Sequence, residues 1–547
     1  MTASSIALVQ ANPVVGDVEG NLDRLEAMIG HLDPTKVRLA VTSELAVVGY
    51  PPRDLLDHLD PDTILTSILS RTWPVPVLIG TLLHGASGRP VNGAILVQDG
   101  AVLDSGGKRL LPTYDVFDER RYFEPDRKAL ILEDGLGVTI CEDLWVGDAT
   151  VPVTYPEDPL ADLEDLGLKV LLNLSASPYH AGKPSQRMER VRLVAARLNV
   201  PVLLTNQVGG MDDLLFDGRS LVAWPDGTVR SAPAWCEGVL LVEPEDARRT
   251  VWSGPGDPLH GESIDMDVDR LDGIVLGLRD YGRKVGLERV LLGVSGGIDS
   301  AVCASIATEA FGPDAVLGVA MPSRHSSDHS LKDAETLCAR LGIPFEVHPI
   351  EPSHDLLATS LAPWLEQGDP VAEENLQSRL RGLILMSIAN AEGRMVIATG
   401  NKSEIAVGYC TLYGDMAGGY APIGDLWKGQ VRSLADAINA RWTARGAVAP
   451  IPSSTLTKAP SAELAPGQTD AMSLPPYPVL DAILEAHIEH GVSEGELIAR
   501  GFDRSVVASV LALLARSEHK RLQMTLAPRV SPRAFGQGWR YPIAARR

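Results

Sequence analysis

The sequence predicts an α/β protein built from two units. Three observations carry that expectation. The chain has 547 residues, and a domain usually takes about 150, so two or more are expected. Short apolar runs alternate with helical patterns, most regularly in the second half, where the alternation predicts a parallel, doubly wound sheet. Near 245–265 the chain turns polar and turn-rich, reading EPEDARRTVWSGPGDPLHGES. Pro255, Gly256 and Pro258 punctuate that stretch. A linker is therefore expected at 246–264, between units at 1–245 and 265–547.

The elements follow in order. In the first half, strands are expected at Leu39–Thr42, Val77–Ile79, Ala94–Gln98, Gly137–Ile140, Val170–Leu174 and Val202–Thr205. The second half restarts with a helical pattern, VDRLDGIVLGLRDYGRKVG. Strands then alternate with helices at Val290–Val294, Ala315–Ala320, Phe345–Pro349 and Met395–Thr399. The Pro- and Ser-rich stretch 452–478 reads as a long functional loop. No internal repeat is visible.

Composition narrows the function classes. Hydrophobic residues make up 45% and charged residues 22%, ordinary for a globular chain. The net charge of −22 argues against a nucleic-acid partner, because that affinity rests on Lys and Arg neutralising phosphates. It leaves small anionic ligands open. MTASSIALVQANPVVG lacks the basic and apolar regions of a signal peptide. No apolar run of about 20 residues suggests a membrane span; the longest uncharged candidate, Thr72–Gly88, carries Pro74, Pro76, Gly80 and Gly85. Five widely spaced cysteines form neither a disulfide framework nor a zinc pattern. The expected location is the cytoplasm.

VLLGVSGGIDSAV at 290–302 places a Ser-Gly-Gly turn between a strand and a helix that begins at Asp299 or Ser300. Glycines let a ligand approach backbone amides closely. Successive amides at a helix N-terminus bind anions, and the strand ends of open α/β sheets are where ligands sit. A plain strand–turn–helix junction would account for Gly-Gly alone. The full Ser-Gly-Gly-Ile-Asp-Ser is more specific. The Lys-bearing triphosphate loop is absent, and the stretch resembles the pyrophosphate loop of the ATP-pyrophosphatase superfamily. Such enzymes cleave ATP between the α and β phosphates.

EENLQSRLRG, ATGNKSE, YCTLYGDMAGGYAPIGDLWKGQV, KAPSAEL, GQTD and SEHKR follow in that order. With the loop they resemble the synthetase domain of the NAD⁺ synthetase family over residues 265–530. The resemblance implies a doubly wound domain of the adenine nucleotide α-hydrolase type. It implies ATP and deamido-NAD (nicotinic acid adenine dinucleotide) as substrates, with adenylation of a carboxylate and then amidation. Gly293, Val294, Ser295, Gly296, Gly297, Ile298, Asp299 and Ser300 would cradle ATP, with Thr399 and Lys428. Asn375, Glu404 and Lys520 would hold deamido-NAD. Asp299 and Glu404 would ligate Mg²⁺, which prefers hard oxygens beside phosphates. A cap or a solvated charge explains any one of these alone, but not the set. Where the family usually has an acidic pair after GQTD, this chain has Ala471-Met472.

Free ammonia is scarce at neutral pH, and the first half offers a source. A glutaminase needs a nucleophile, a base and an oxyanion stabiliser. Glu44 lies in VTSELAVVGYPPRDL, Lys108 in GGKRLLPTYDVFDERRYF and Cys141 in GVTICEDLW. Taken singly, each has a dull reading as a cap, a surface charge or an inert buried thiol. In this order and with these flanks they resemble the Glu-Lys-Cys triad of the carbon–nitrogen hydrolase (nitrilase) superfamily over residues 4–245. That implies a four-layer α-β-β-α sandwich. Glu44 would act as base and then acid, Lys108 would stabilise thiolate and oxyanion, and Cys141 would form a thioester. Tyr114, Ser177 and Lys183 would bind L-glutamine, with Glu119 as an assisting carboxylate. Cys236, Cys303, Cys338 and Cys410 lack such a context.

Together the halves resemble the glutamine-dependent NAD⁺ synthetase family, which implies a ligase and a homo-oligomer. Two alternatives stay open at this stage. One keeps the adenylating half but changes its substrate, as in a GMP-synthetase-like or tRNA-thiolating enzyme. The other makes the first half a dead scaffold.

Overall fold

The computed structural model describes residues 4–246, 249–257, 264–461 and 463–545. The chain divides into two compact units, Met1–Ile264 and Asp265–Arg547. Residues 247–248 and 258–263 of the expected linker lie outside the described residues. The remainder of that stretch is not all linker: Thr250–Ser253 is a strand, paired antiparallel with Gly238–Val242. TVWS is apolar enough at Val251 and Trp252 to extend a sheet edge despite its turn-rich flanks.

Unit 1 holds two large sheets. Seven strands form the first, in the order Thr250–Ser253, Gly238–Val242, Ser5–Gln10, Val37–Val41, Val77–His84, Pro90–Gln98, Ala101–Gly107. Six form the second: Val229–Ser231, Leu221–Ala223, Val202–Asn206, Val170–Ser175, Leu136–Ile140, Leu130–Leu132. Strand alternation builds the layers. Ile6 and Leu8 of the first sheet share one core with Val138, Leu172 and Leu174 of the second, between the sheets. Ala7 and Val9 face the other way, against Leu22, Leu25 and Ile29 of the helix Val18–Ile29. On the outer face of the second sheet, Leu171 and Leu204 pack on Val191 and Val194 of the helix Lys183–Leu198. The result is the α-β-β-α sandwich that the resemblance implied.

Unit 2 holds a four-stranded parallel sheet in the order Phe345–Val347, Val316–Ala320, Val290–Gly293, Met395–Val396. The chain order reverses between Val290–Gly293 and Met395–Val396, and such a switch point opens a crevice at the strand ends. The expected strand Met395–Thr399 is shorter than its apolar run. Only Met395 and Val396 pair with the neighbouring strand, and Ile397 bridges instead to Tyr420. Phe345–Pro349 likewise stops at Val347. The helix Ile298–Phe311 is buried almost all round, as its apolar sequence requires. A helical cluster around Trp427, Leu480, Ile483, Val507 and Leu514 takes in Phe535 and Trp539 from the C-terminal segment.

No helix among the described residues is long and apolar enough to cross a membrane. Thr72–Gly88 instead contributes the strand Val77–His84.

Gly80 marks a close approach between the strand Val77–His84 and the turn that carries Glu44. A Cβ there would lie 2.1 Å from the Ser43 carbonyl oxygen and 2.8 Å from the Leu45 amide nitrogen. Both are backbone atoms and cannot rotate aside. Gly80→Ala is expected to cost roughly 1–3 kcal/mol of folding stability through overpacking. Urea denaturation checks this, and an unchanged midpoint would show that the backbone steps aside freely.

Candidate active sites

In unit 1, three strands end at one place. Glu44 follows Val37–Val41, Lys108 follows Ala101–Gly107, and Cys141 follows Leu136–Ile140. Cys141 takes φ +43°, a turn that swings its side chain off the strand, as in a nucleophile elbow. Glu44 is 1% exposed and Lys108 0%, so both charges must be paired. Lys108 Nζ donates to Glu44 Oε1 at 2.7 Å and to Glu119 Oε1 at 2.7 Å. Glu44 also accepts from Asn92 Nδ2 at 2.7 Å and from the Ala176 amide at 2.9 Å. Tyr50 donates to Glu119 at 2.9 Å.

Burial pushes the Glu119 carboxyl up; Lys108 opposes this and the Glu44 charge adds to it. Burial also pushes the Cys141 thiol up, with Glu44 adding and Lys108 opposing. In this closed arrangement the resting sulfur is therefore a thiol, and its proton must go to a neighbouring base at the moment of attack.

Sequence reasoning named Glu44, Lys108, Cys141 and Glu119, and the fold gathers all four. It missed Glu142, Asp143 and Asn92. Asp143 accepts the amides of Ile140 at 3.0 Å, Arg109 at 3.1 Å and Leu110 at 2.8 Å. It thereby ties the Cys141 turn to the segment after Lys108. Burial raises its carboxyl to about 6. Glu142 accepts from Tyr114 at 3.0 Å and from Tyr155 at 2.8 Å. An acid directly after the cysteine in CEDLW was the available signal.

Of the expected glutamine contacts, Tyr114 sits on Glu142, and Ser177 is buried with its amide on Asn206 at 2.9 Å. Lys183 begins the helix Lys183–Leu198, and its ammonium lies 3.8 Å from the Trp145 ring centroid. Burial, and then the Arg187 charge, lower it to about 8.

In unit 2, a cavity of ≈310 Å³ opens at the switch point. Gly293, Val294, Ser295, Gly297, Ile298, Asp299, Ser300, Thr399, Glu404 and Lys428 all line it. No side chain caps the helix Ile298–Phe311, so its first amides are free to meet an anion. Ser300 Oγ donates to Gly297 O at 3.0 Å and holds the turn. Gly296 is not among the lining residues. It takes φ +77°, and a Cβ there would lie 2.3 Å from Ser330 O. Its glycine serves packing against the helix Asp328–Leu341.

Lys428 joins two carboxylates. It donates to Asp299 Oδ2 at 2.5 Å and to Glu404 Oε1 at 3.1 Å. Burial alone would lower the Lys428 ammonium, but Asp299 and Glu404 outweigh it and raise it. Burial raises Glu404, with Lys428 opposing and Asp299 adding. The trio sets two carboxylates, with their hard oxygens, beside the turn Gly293–Ser300, a donor set that suits a divalent cation. Two protein carboxylates plus phosphates and water are a usual Mg²⁺ shell. The groups of three potential metal ligands among the described residues, Asp60/Asp62/His84 and Glu351/His354/Asp355, lie elsewhere.

Asn375 and Lys520 are not among the lining residues. Asn375 accepts from Thr411 Oγ1 at 2.8 Å, and Lys520 donates to the Gly408 and Cys410 carbonyls at 2.7 and 2.6 Å. Both therefore hold the 408–411 turn. Ser330, Arg381, Asp415, Lys458 and Glu463 line the cavity and were not singled out by sequence; Asp470, the acid that remains in GQTD, lines it too. Thr455, Lys458, Glu463 and Asp470 bring the 452–478 stretch, which the sequence reads as a functional loop, to the cavity wall. Asp470 is buried and accepts from Tyr477 at 2.8 Å. Met472 is 73% exposed, so Asp470 turns inward where Met472 turns out.

Lys183 yields a direct check. Competitive acylation read by mass spectrometry is expected to titrate it near pH 8, well below exposed lysines. A midpoint at or above about 10 would show that its ammonium keeps ordinary hydration.

Residues 5–250 match the carbon-nitrogen hydrolase family, and residues 271–524 match NAD synthase. The chain is 43% identical to the glutamine-dependent NAD(+) synthetase of Synechocystis sp., covering 99% of this chain and 98% of that one. It is 38% identical to the enzyme of the same name from Thermotoga maritima, again over 99% and 98%. A solved glutamine-dependent NAD+ synthetase from Acinetobacter baumannii, in complex with ADP, superposes with TM-score 0.76 at 34% identity and covers 98% of both chains. Two domain matches in this order, full-length identity and a shared fold agree with the two sites just described: the chain belongs to the glutamine-dependent NAD⁺ synthetase family.

Proposed function

We propose that the chain makes NAD⁺ from deamido-NAD, ATP and L-glutamine, and that each residue acts as follows. Glu44 takes the Cys141 thiol proton as sulfur attacks the glutamine amide carbon. Lys108 stabilises the oxyanion. Glu44 returns the proton to the departing nitrogen, releasing ammonia and leaving a γ-glutamyl thioester. Water, activated by Glu44, then frees glutamate and Cys141. Asn92 and the Ala176 amide aim Glu44, and Glu119 steadies Lys108. Tyr114, Ser177 and Lys183 hold the glutamine, with Lys183 suited to its α-carboxylate.

In unit 2, the turn Gly293–Ser300 and the amides opening the helix Ile298–Phe311 cradle the ATP phosphates, with Thr399 beside them. A carboxylate oxygen of deamido-NAD attacks the α-phosphorus and pyrophosphate leaves. Ammonia attacks the resulting acyl adenylate and AMP leaves. Lys428 meets the charge that builds on the leaving pyrophosphate. Asp299 and Glu404 would hold Mg²⁺, which supplies Lewis-acid charge neutralisation on the phosphates. Asn375 and Lys520 act on deamido-NAD through the 408–411 turn that they fix. The same reading places the enzyme in the cytoplasm as a homo-oligomer, for which the exposed Leu356 and Trp364 offer apolar surface.

The single observation that carries the reading is that one chain holds both groupings, Glu44, Lys108, Glu119 and Cys141 in unit 1 and Asp299, Glu404 and Lys428 beside the turn Gly293–Ser300 in unit 2. Cys141→Ala tests it. Glutamine-dependent NAD⁺ formation is expected to fall by at least about 10³-fold, while ammonium-dependent formation stays within about two-fold of the parent. Glutamine use at the parental rate would refute the triad.

A further inference from the structure

Lys402 is a fully buried lysine that the mechanism above does not use. It opens the short helix Lys402–Val407 and is 0% exposed. Its ammonium meets Asp425 Oδ1 at 2.9 Å, Glu489 Oε1 at 2.8 Å, Ser531 Oγ at 2.6 Å and the Arg533 carbonyl at 2.9 Å. It also lies 4.5 Å from the Trp427 ring centroid. An ammonium has three hydrogens, so this one is saturated. Ser531 accepts from Lys402 and donates its own proton to Asp425 at 2.8 Å. Asp425 also accepts the amides of Val530 and Ser531, at 2.8 and 2.7 Å. One cation thus joins the 402–407 helix, the turn before Lys428, the helix Tyr477–Ile488 at its end, and the C-terminal segment.

Its chain neighbours on both sides reach the candidate catalytic groups. Asn401 Nδ2 donates to Asp299 Oδ1 at 3.0 Å. Ser403 Oγ accepts the Lys428 amide at 2.9 Å. Glu404 receives Lys428 Nζ. The Lys402 amide itself bonds the Leu426 carbonyl at 2.9 Å. Glu404 and Lys428 therefore sit on two backbone segments whose separation Lys402 sets.

Stability alone does not account for such a cluster. Apolar residues of similar volume often replace buried ions at little or no cost. What apolar packing does not supply is several directed bonds to fixed acceptors. We propose that Lys402 is a positioning residue of the synthetase site: with Asp425 and Ser531 it locks the segment carrying Glu404 to the turn carrying Lys428, and its effect on catalysis runs through that pair.

The inference rests on the site reading above, and a double-mutant cycle separates the two. Ammonium-dependent NAD⁺ formation is measured for Lys402→Met alone, Lys428→Ala alone, and both together, each in the full chain. Lys402→Met alone is expected to lower kcat by about ten-fold or more. In the Lys428→Ala background the same change is expected to cost less than about three-fold, because groups acting as one unit are non-additive. Equal losses in both backgrounds would overturn the positioning role and leave the site reading intact. No loss in Lys402→Met alone would do the same. Parental activity in Lys428→Ala would overturn the site reading, and this inference with it. Should Lys402→Met fail to fold, Ser531→Ala removes one acceptor from Lys402 and takes its place in the cycle. Its expected loss is about three-fold in the parental background and none in Lys428→Ala. A loss in both backgrounds, or in neither, would overturn the proposal.

Discussion

Each unit depends on a lysine clamped between two carboxylates. In unit 1 it is Lys108 between Glu44 and Glu119. In unit 2 it is Lys428 between Asp299 and Glu404. A buried ion is tolerated only when paired, and removing one partner of such a pair costs about 3–5 kcal/mol. The folds must therefore deliver three charged side chains from separate segments to one point. Everything else about each site follows from that delivery. In unit 1 two strand ends supply Glu44 and Lys108, the short helix Glu119–Tyr122 supplies Glu119, and Asp143 and Asn92 hold the result. In unit 2 the switch point supplies Asp299, and the short helix Lys402–Val407 supplies Glu404.

The two clamps differ in what they leave undone, and the difference suits their chemistry. Around Lys108 a neutral Cys141 thiol completes the group, so charge moves only when a proton moves. Around Lys428 the turn Gly293–Ser300 and the helix Ile298–Phe311, which no side chain caps, complete the group, an arrangement suited to an anionic ligand. The first arrangement suits proton-coupled attack on an amide. The second suits departure of a pyrophosphate from a site with no Lys-bearing triphosphate loop.

Much of this was legible in the sequence because the chemistry sits where strands end. Glu44, Cys141 and the turn Gly293–Ser300 each follow an apolar run, so position and residue type pointed the same way, whereas Lys108 follows DSGG and was legible only through the resemblance. Partners contributed from afar were not legible. Asn92 reaches Glu44 across 48 residues of sequence. Asp143 gives no hint that it collects amides from 33 and 34 residues away. Lys402 drew no reading from the sequence, because its acceptors Asp425, Glu489 and Ser531 come from three later segments. At Gly296 the glycine is also required by Ser330, a contact from a later helix that the sequence does not show. Strand ends were misjudged where an apolar run outlasts its pairing, as past Val396, where Ile397 bonds Leu291 through its amide and bridges to Tyr420 on its other side.

The central claim is that one chain couples nitrogen released in unit 1 to adenylation in unit 2. The most direct measurement is a time course by ¹⁵N and ³¹P NMR, with ATP, deamido-NAD and glutamine labelled at its amide nitrogen. The account predicts NAD⁺ carrying ¹⁵N in its carboxamide, with AMP and pyrophosphate formed in step with it. ADP and inorganic phosphate as the nucleotide products, or no ¹⁵N in the carboxamide, would contradict it.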